Sequence, residues 1–348
     1  MTRRWLPAAL VLGLLAGPAQ ADGLRVTTVG GAWSLKAMDK LQVWANSPEA
    51  SMVIDNRGQR AFLTLSATWD NCLAGSFLST PEGLVVGTSR DGSPIGGSLS
   101  VGPSERQSWS LHPNVTGAYR FAIVSGTRAA GAQSTYGVIS KDMATHGTTF
   151  AIHLGNATSG GNQRQLAVFR EQLRSFAFPT YVLPGNHEVA AGGRKAFGQL
   201  FGALPLTFRV GPDRFIMLDN ATGKLERKAE DWLYGVLGRV DDEKARHVFV
   251  FMHRPLVDVR PGLNEGMTDR PQVRRLLKTF AQHHVHSVFA GHLPMFARER
   301  RQGVTYVTTA GGGERPVVPK THGGFHHWVR VDVDANGAVN MAPVRVAE

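Results

Sequence analysis

The sequence predicts an α/β protein in two parts, a small β-sandwich followed by a larger layered α/β domain. Up to about residue 117, short β-prone runs alternate with turn signals, and no long stretch has helical periodicity. Beyond that point, apolar strands alternate with amphipathic helices such as Gln163–Phe176 and Glu226–Leu237. This alternation is typical of a layered α/β domain. We therefore place the β-sandwich at residues 22–117 and the second domain at residues 118–348.

The first residues have the pattern of a signal peptide, which we place at residues 1–21. Arg3 and Arg4 precede an apolar core, Trp5 to Leu15, and Ala19-Gln20-Ala21 has the small-x-small form of a cleavage site. The apolar core is shorter than the roughly 20 residues that span a bilayer. We expect an exported protein, periplasmic or secreted, with no transmembrane segment after signal cleavage.

The formal net charge of +11 favours acidic partners, and it is still +9 when Arg3 and Arg4 are removed with the signal. We expect an anionic or phosphorylated small ligand, and an envelope protein or a polysaccharide is a further candidate partner. No basic stripe is interleaved with aromatic residues, which argues against a nucleic-acid partner. Cys72 is the only cysteine, so an intramolecular disulfide is excluded.

Three polar motifs in the second domain each follow a predicted strand. Ligands in open α/β sheets bind at the carboxyl ends of strands, so we expect the motifs to share one cleft. The motifs are Pro184-Gly185-Asn186-His187-Glu188 after Thr180–Leu183, Met252-His253-Arg254-Pro255 at the end of His247–Met252, and Ala290-Gly291-His292 at the end of Ser287–Ala290.

Residues from about 119 to 345 resemble the calcineurin-like metallophosphoesterases, whose signature includes Gly-Asn-His-Asp/Glu, a strand ending in His, and Gly-His-x-His. A β-sandwich in front of this domain is also seen in purple acid phosphatases, and Gly291 to Arg298 resembles the region around their last His motif. The resemblance implies a four-layer α/β/β/α sandwich with two metals at the strand ends. It also implies hydrolysis of phosphoric esters, with His187 as the catalytic residue that aids the leaving group or stabilises the phosphoryl oxygens.

Several of the metal-binding positions of that family hold other residues here. By the resemblance, the first metal would need residues 126, 128, 156 and 294, which are Gly126, Arg128, Asn156 and Pro294. None of these is a good ligand for a divalent ion. The second metal would need four residues that form an entirely neutral set, namely Asn156, Asn186, His253 and His292. We expect this set to hold one ion weakly.

Electrostatics argue against a dinuclear site. A guanidinium about 4 Å from a divalent ion is repelled by roughly 8 kcal/mol at an effective dielectric constant of 20. Arg128 cannot lose its proton to avoid this repulsion. We therefore expect no cofactor or one weakly bound divalent metal. The remaining polar groups form a predicted anion site, which consists of Arg128, Asn156, Asn186 and His187.

Two functions follow from these observations. The first is a catalytically impaired homologue that binds a phosphate-like anion or a partner. The alternative is an active metal-dependent phosphoric ester hydrolase with a reduced or single-metal site, which would borrow an acid such as Glu188, Asp219 or Asp258. Two structural alternatives also stay open: an outward, solvated Arg128, and an Asn156 that only completes a turn.

Overall fold

The computed structural model describes residues 24–37, 39–57, 62–128 and 134–346. The predicted signal peptide lies outside these residues and stays a prediction. Among the helices of the described ranges, none is long and apolar enough to cross a membrane.

The described residues between 24 and 112 form two sheets that share one apolar core. One sheet has the strand order β1-β4-β9-β6-β7 and the other β2-β3-β5-β8. The buried indoles of Trp69 and Trp109 lie in the shared core. The strands are β1 (Leu24–Val29), β2 (Gly31–Ala37), β3 (Lys40–Ala45), β4 (Ser51–Asn56), β5 (Leu63–Asp70), β6 (Phe77–Ser79), β7 (Val85–Thr88), β8 (Ile95–Val101) and β9 (Arg106–His112).

The Gly96-Gly97 pair, which the sequence indicates as a turn, lies instead inside β8. A β-carbon on Gly97 would approach Cη2 of Trp109 to 2.9 Å. Glycine is therefore needed in this strand because the indole packs directly against its backbone.

The described residues from 119 onward form two larger sheets and six α-helices. The strands are β10 (Tyr119–Val124), β11 (Phe150–His153), β12 (Thr180–Val182), β13 (Leu206–Val210), β14 (Asp213–Met217), β15 (Val248–Met252), β16 (Ser287–Ala290), β17 (Phe296–Arg301), β18 (Val304–Thr309), β19 (His327–Val333) and β20 (Val339–Arg345). The helices are α1 (Thr135–Thr145), α2 (Gln163–Arg174), α3 (Asn186–Val189), α4 (Gly193–Phe201), α5 (Arg227–Glu243) and α6 (Arg270–Gln282).

These elements confirm the expected four-layer α/β/β/α sandwich. The sheets have the orders β12-β11-β10-β19-β20 and β13-β14-β15-β16-β18-β17. Stacked phenylalanines such as Phe121, Phe215 and Phe251 fill the space between them. Helices α1, α2 and α4 cover the outer face of the first sheet, and α5 and α6 cover the second.

The motif-bearing strands end at a common edge because they run parallel. Val124 of β10 pairs with His153 of β11, which pairs with Val182 of β12. In the other sheet, Met252 of β15 pairs with Ala290 of β16. The loops that follow these strands therefore leave each sheet at the same level, which brings the polar motifs together.

In the second part of the chain, helix α1 and strand β17 are among the elements that have no counterpart in the sequence-based prediction. Helix α1 begins at an N-cap, Ser134, whose side chain accepts a hydrogen bond from the backbone N–H of Gly137. Strand β17 has the sequence Phe-Ala-Arg-Glu-Arg-Arg and lies at the edge of its sheet. Charged residues are common on edge strands because they discourage pairing with other chains.

Two asparagines from the β-sandwich complete the hydrogen bonding of β12, the edge strand of the first large sheet. Asn71 accepts from the N–H of Thr180 at 2.9 Å and donates to its carbonyl at 3.0 Å. Asn46 bonds both groups of Val182 in the same way, at 2.7 and 3.0 Å. Each side-chain amide thus replaces a neighbouring strand.

Replacing Asn46 with alanine should lower the free energy of unfolding by about 3 kcal/mol. The change leaves the buried N–H and carbonyl of Val182 without partners, and each such group costs roughly 1–3 kcal/mol. Urea unfolding checks this, with Asn264→Ala at an exposed loop position as the control. Equal stability of the two variants would contradict the assigned role of Asn46.

Candidate functional site

The structure brings all the predicted site residues into one cluster at the carboxyl edge of the two large sheets. Arg128 follows β10, and its backbone N–H donates to the carbonyl of Asn156 at 3.1 Å. The two motif residues that follow β12 lie in the short helix α3. His253 and His292 follow β15 and β16, and their ring centroids are 5.0 Å apart. The residues of the three motifs therefore lie side by side at this edge.

Asn186 is the centre of the neutral part of the cluster. Its Oδ1 lies 2.9 Å from Nε2 of His253 and 3.0 Å from Nδ1 of His292. Burial, followed by the charge of the neighbouring His292, holds the pKa of His253 well below its usual range. Burial, followed by the charge of Arg254, lowers the pKa of His292 to about 4. Both rings are therefore neutral at pH 7.

The second nitrogen of His253 defines its tautomer. Nδ1 lies 2.7 Å from the carbonyl oxygen of Leu154, which can only accept, so Nδ1 carries the proton. Nε2 of the neutral ring then presents a lone pair to Asn186 Oδ1, which is also an acceptor. These two atoms are satisfied either by a cation between them or by an Asn186 amide turned to donate.

Asn156 adds a further acceptor beside His253. Its side chain is buried, and Oδ1 has no hydrogen-bond partner among the described residues. A β-carbon on Gly185 would clash with this oxygen and lie 2.8 Å from Cε1 of His253, so the Asn156 oxygen and the His253 ring flank one point. The backbone φ of Asn156 is 56°, which lies in the left-handed region that asparagine tolerates.

Arg128 lies against His187 and does not point freely into solvent. Nη2 of Arg128 is 2.9 Å from Nε2 of His187, and Nε is 2.7 Å from Oε1 of Glu314. Nδ1 of His187 lies 3.0 Å from the carbonyl oxygen of Ser159 and therefore carries a proton. Nε2 of His187 then accepts from the guanidinium. The outward-pointing alternative for Arg128 is thus wrong, although 44% of its side chain stays exposed.

Glu314 is a site residue that the sequence-based reasoning missed. It follows strand β18 and the run Gly311 to Gly313, and its side chain is only 9% exposed. Its backbone N–H donates to the carbonyl of Gly126 at 2.9 Å. A β-carbon on Gly126 would lie 3.4 Å from Cδ of Glu314. The absence of a side chain at Gly126 therefore leaves room for this carboxylate.

The acids considered for a reduced metal site all have other partners. Buried Glu188 accepts hydrogen bonds from the N–H groups of Asn156, Thr158 and Gly185 and from the Thr158 hydroxyl. Asp219 accepts from Arg194 and from the N–H of Ala221. Asp258 accepts two hydrogen bonds from the guanidinium of Arg260. Glu188 thus braces the loops and does not face the cleft as a ligand.

The donor set decides how well metals fit. Within the described ranges, no group of three or more His, Cys, Asp or Glu side chains is placed to hold a metal ion. The first-metal positions offer a glycine, a proline and the paired guanidinium of Arg128, and these do not fit a divalent ion. The second-metal positions offer neutral nitrogen and oxygen atoms, which fit one ion but supply no charge.

Comparison with known proteins agrees with this geometry. Residues 135–296 match the family model described as calcineurin-like phosphoesterase. This segment is therefore similar to calcineurin-like phosphoesterase domains. It includes Asn156, Asn186, His187, His253 and His292 but begins after Arg128 and ends before Glu314.

Two known proteins are similar to this chain. A probable glycerophosphodiester phosphodiesterase GpdQ from Arcobacter nitrofigilis is 29% identical over 118 residues, which cover 31% of this chain. The match spans 42% of the length of that relative. The structure of the purple acid phosphatase PPD1 from yellow lupin seeds superposes with a TM-score of 0.58 at 15% identity. It covers 91% of this chain and 72% of the lupin chain, which shows a common fold.

The buried side chain of His153 should make the folding stability of the protein sensitive to acid. Burial lowers the pKa of His153 to about 3, below the ordinary value of 6.5 that it regains on unfolding. The unfolded chain therefore binds the proton first. The contribution of His153 to stability is complete above pH 6.5 and is lost as the pH falls toward 3.

Urea unfolding between pH 7 and pH 5 measures this effect. His153→Gln should reduce the loss of unfolding free energy by up to about 1.4 kcal/mol per pH unit below pH 6.5. His322→Gln, at an exposed position, is the control and should leave the slope unchanged. A wild-type slope in His153→Gln would refute the link between burial and acid sensitivity.

Proposed function

We propose that this chain is an exported calcineurin-like phosphoesterase homologue that binds a phosphate-like anion and hydrolyses phosphoric esters poorly or not at all. One observation carries the proposal: the guanidinium of Arg128 donates a hydrogen bond to Nε2 of His187. Nε2 of His187, which would donate a proton to a leaving group, carries no proton in this arrangement. It already accepts a hydrogen bond from the permanently charged Arg128.

Electrostatics support impaired metal chemistry. A divalent ion about 4 Å from the Arg128 guanidinium would be repelled by roughly 8 kcal/mol at an effective dielectric constant of 20. The carboxylates that the resemblance would place at positions 126 and 156 are absent, and Glu314, which pairs with Arg128, offsets only part of this repulsion. Water is a weak nucleophile at neutral pH unless a metal lowers its pKa to about 7.

The same residues favour anion binding. Phosphoryl recognition depends mainly on positioned donors and positive charge, and arginine supplies both. Arg254 adds to the positive field, since its charge contributes to the lowered pKa of His292. An anion at Arg128 would lie beside the amide of Asn186 and the ring of His187. The overall positive charge of the chain acts in the same direction.

A second candidate function is a hydrolase with a single metal ion. The observation that favours it is a pair of acceptor atoms, His253 Nε2 and Asn186 Oδ1, which lie 2.9 Å apart. Nearby, the Oδ1 atom of Asn156 has no hydrogen-bond partner among the described residues. With His292, these residues would hold the ion. A bound divalent ion would supply Lewis-acid stabilisation and an activated water.

Arg128→Ala should weaken phosphate binding at least tenfold, because it removes a charge-assisted hydrogen-bond donor worth roughly 1.5–3 kcal/mol. Isothermal titration of the mature chain with inorganic phosphate measures the affinity. Arg227→Ala, at an exposed arginine of α5, is the matched control and should bind like wild type. If wild-type protein shows no binding at millimolar phosphate, the anion proposal fails.

Metal content separates the two candidate functions. We expect less than one divalent ion per wild-type chain by elemental analysis, and negligible turnover of p-nitrophenyl phosphate with Mn²⁺, Zn²⁺ or Fe²⁺. Asn156→Asp should raise metal content, because a carboxylate about 4 Å from a divalent ion contributes roughly 8 kcal/mol of attraction at that dielectric constant. Asn264→Asp adds the same charge at an exposed loop position and should have no effect.

A higher metal content would contradict this proposal. A full equivalent of metal in wild-type protein, with turnover that His253→Ala abolishes, would establish the single-metal hydrolase. Two metals per chain would overturn both candidates.

A further inference from the structure

Glu314 pairs with the cationic group to which we assign the anion. We propose that its carboxylate is an internal competitor, which occupies Arg128 until an external anion displaces it. This inference rests on the proposed anion-binding function and adds a residue that sets the affinity and charge selectivity of the cleft.

The pair is held by contacts on both sides. Glu314 Oε1 lies 2.7 Å from Nε of Arg128, while Nη2 of the same guanidinium donates to His187. The backbone of Glu314 is fixed separately, by its N–H bond to the carbonyl of Gly126. The carboxylate therefore reaches Arg128 from an anchored loop.

Gly126 makes this position available. Its φ of 69° lies in the left-handed region, and a β-carbon would come within 3.0 Å of the Ala310 carbonyl oxygen and 3.4 Å of Glu314 Cδ. A side chain at position 126 would therefore crowd the carboxylate. The residue that leaves the first-metal position without a ligand is the same residue that admits Glu314 to Arg128.

An external anion can reach the pair from the Arg128 side. The Arg128 side chain is 44% exposed, whereas that of Glu314 is 9% exposed, so water screens the pair mainly at the guanidinium. A monocarboxylate offers no more charge than Glu314 already supplies. A phosphate or phosphate monoester carries up to two negative charges and three or more acceptor oxygens, so it should displace Glu314 where acetate does not.

Glu314→Gln tests the proposal because it removes the charge while the backbone bond to Gly126 remains. Titration with inorganic phosphate should show roughly three- to fivefold tighter binding than wild type, the range set by the small free energy of exposed ion pairs. Acetate, which wild-type protein should not bind, should bind the variant detectably. Phenyl phosphate in a parallel titration distinguishes a monoester site from a free-phosphate site.

Glu299→Gln is the control, since Glu299 forms an ion pair on β17 with Arg301, whose side chain is 45% exposed and so resembles Arg128 in exposure. It should leave phosphate affinity unchanged. Should Glu314→Gln fail to fold, Glu314→Asp shortens the side chain by one methylene and should give intermediate affinity.

Equal phosphate affinity of wild type and Glu314→Gln would overturn this inference while the anion-binding function stands. Weaker binding by the variant would overturn it too, because Glu314 would then be supporting the site. Absence of binding by both chains at millimolar phosphate would refute the inference together with the proposed function.

Discussion

The buried carboxylate of Glu188 holds the cleft together. It accepts hydrogen bonds from the loop after β11, through Asn156 and Thr158, and from the loop after β12, through Gly185. The positions of Asn156, Asn186 and His187 all follow from this one group. Because the bonds come from backbone N–H groups, they do not depend on a metal ion. The protein itself can therefore hold the shape of the cleft.

The positive charge in this cleft comes from a side chain of the protein, the guanidinium of Arg128. Arg128 brings a permanent charge to His187, and Glu314 partly neutralises it from the opposite side. Gly126 contributes to this arrangement, because the absence of a side chain there leaves room for the Glu314 carboxylate. The guanidinium of Arg128 is thus bonded on two sides, by His187 and by Glu314.

Much of the site could be predicted from the sequence because its residues follow strands with strong apolar patterns. Strands β12, β15 and β16 are short and buried, and parallel pairing brings their ends to one edge. Glu314 could not be predicted, since its contact with Arg128 joins residues far apart in sequence after a glycine run that carries no periodic signal.

The elements that the sequence did not predict were missed for similar reasons. Helix α1 has weak separation between apolar and polar faces, and β17 consists mainly of charged residues, so neither has the periodicity that marks a buried element. Gly96 and Gly97 resemble a turn in sequence, and only the indole of Trp109, packed from another strand, explains their place in β8. Contacts between distant segments override local preference in each case.

The side-chain amides of Asn46 and Asn71 make the two domains interdependent. They close the outer edge of β12, and Trp44 packs beside them against Phe201 of α4. A fragment that lacked the β-sandwich would leave the peptide groups of Thr180 and Val182 without these partners. It would also uncover the apolar surface of Phe201 that Trp44 contacts. An open strand edge promotes aggregation by pairing with strands of other chains. The β-sandwich therefore also protects the larger sheets from aggregation, and its removal would expose this edge.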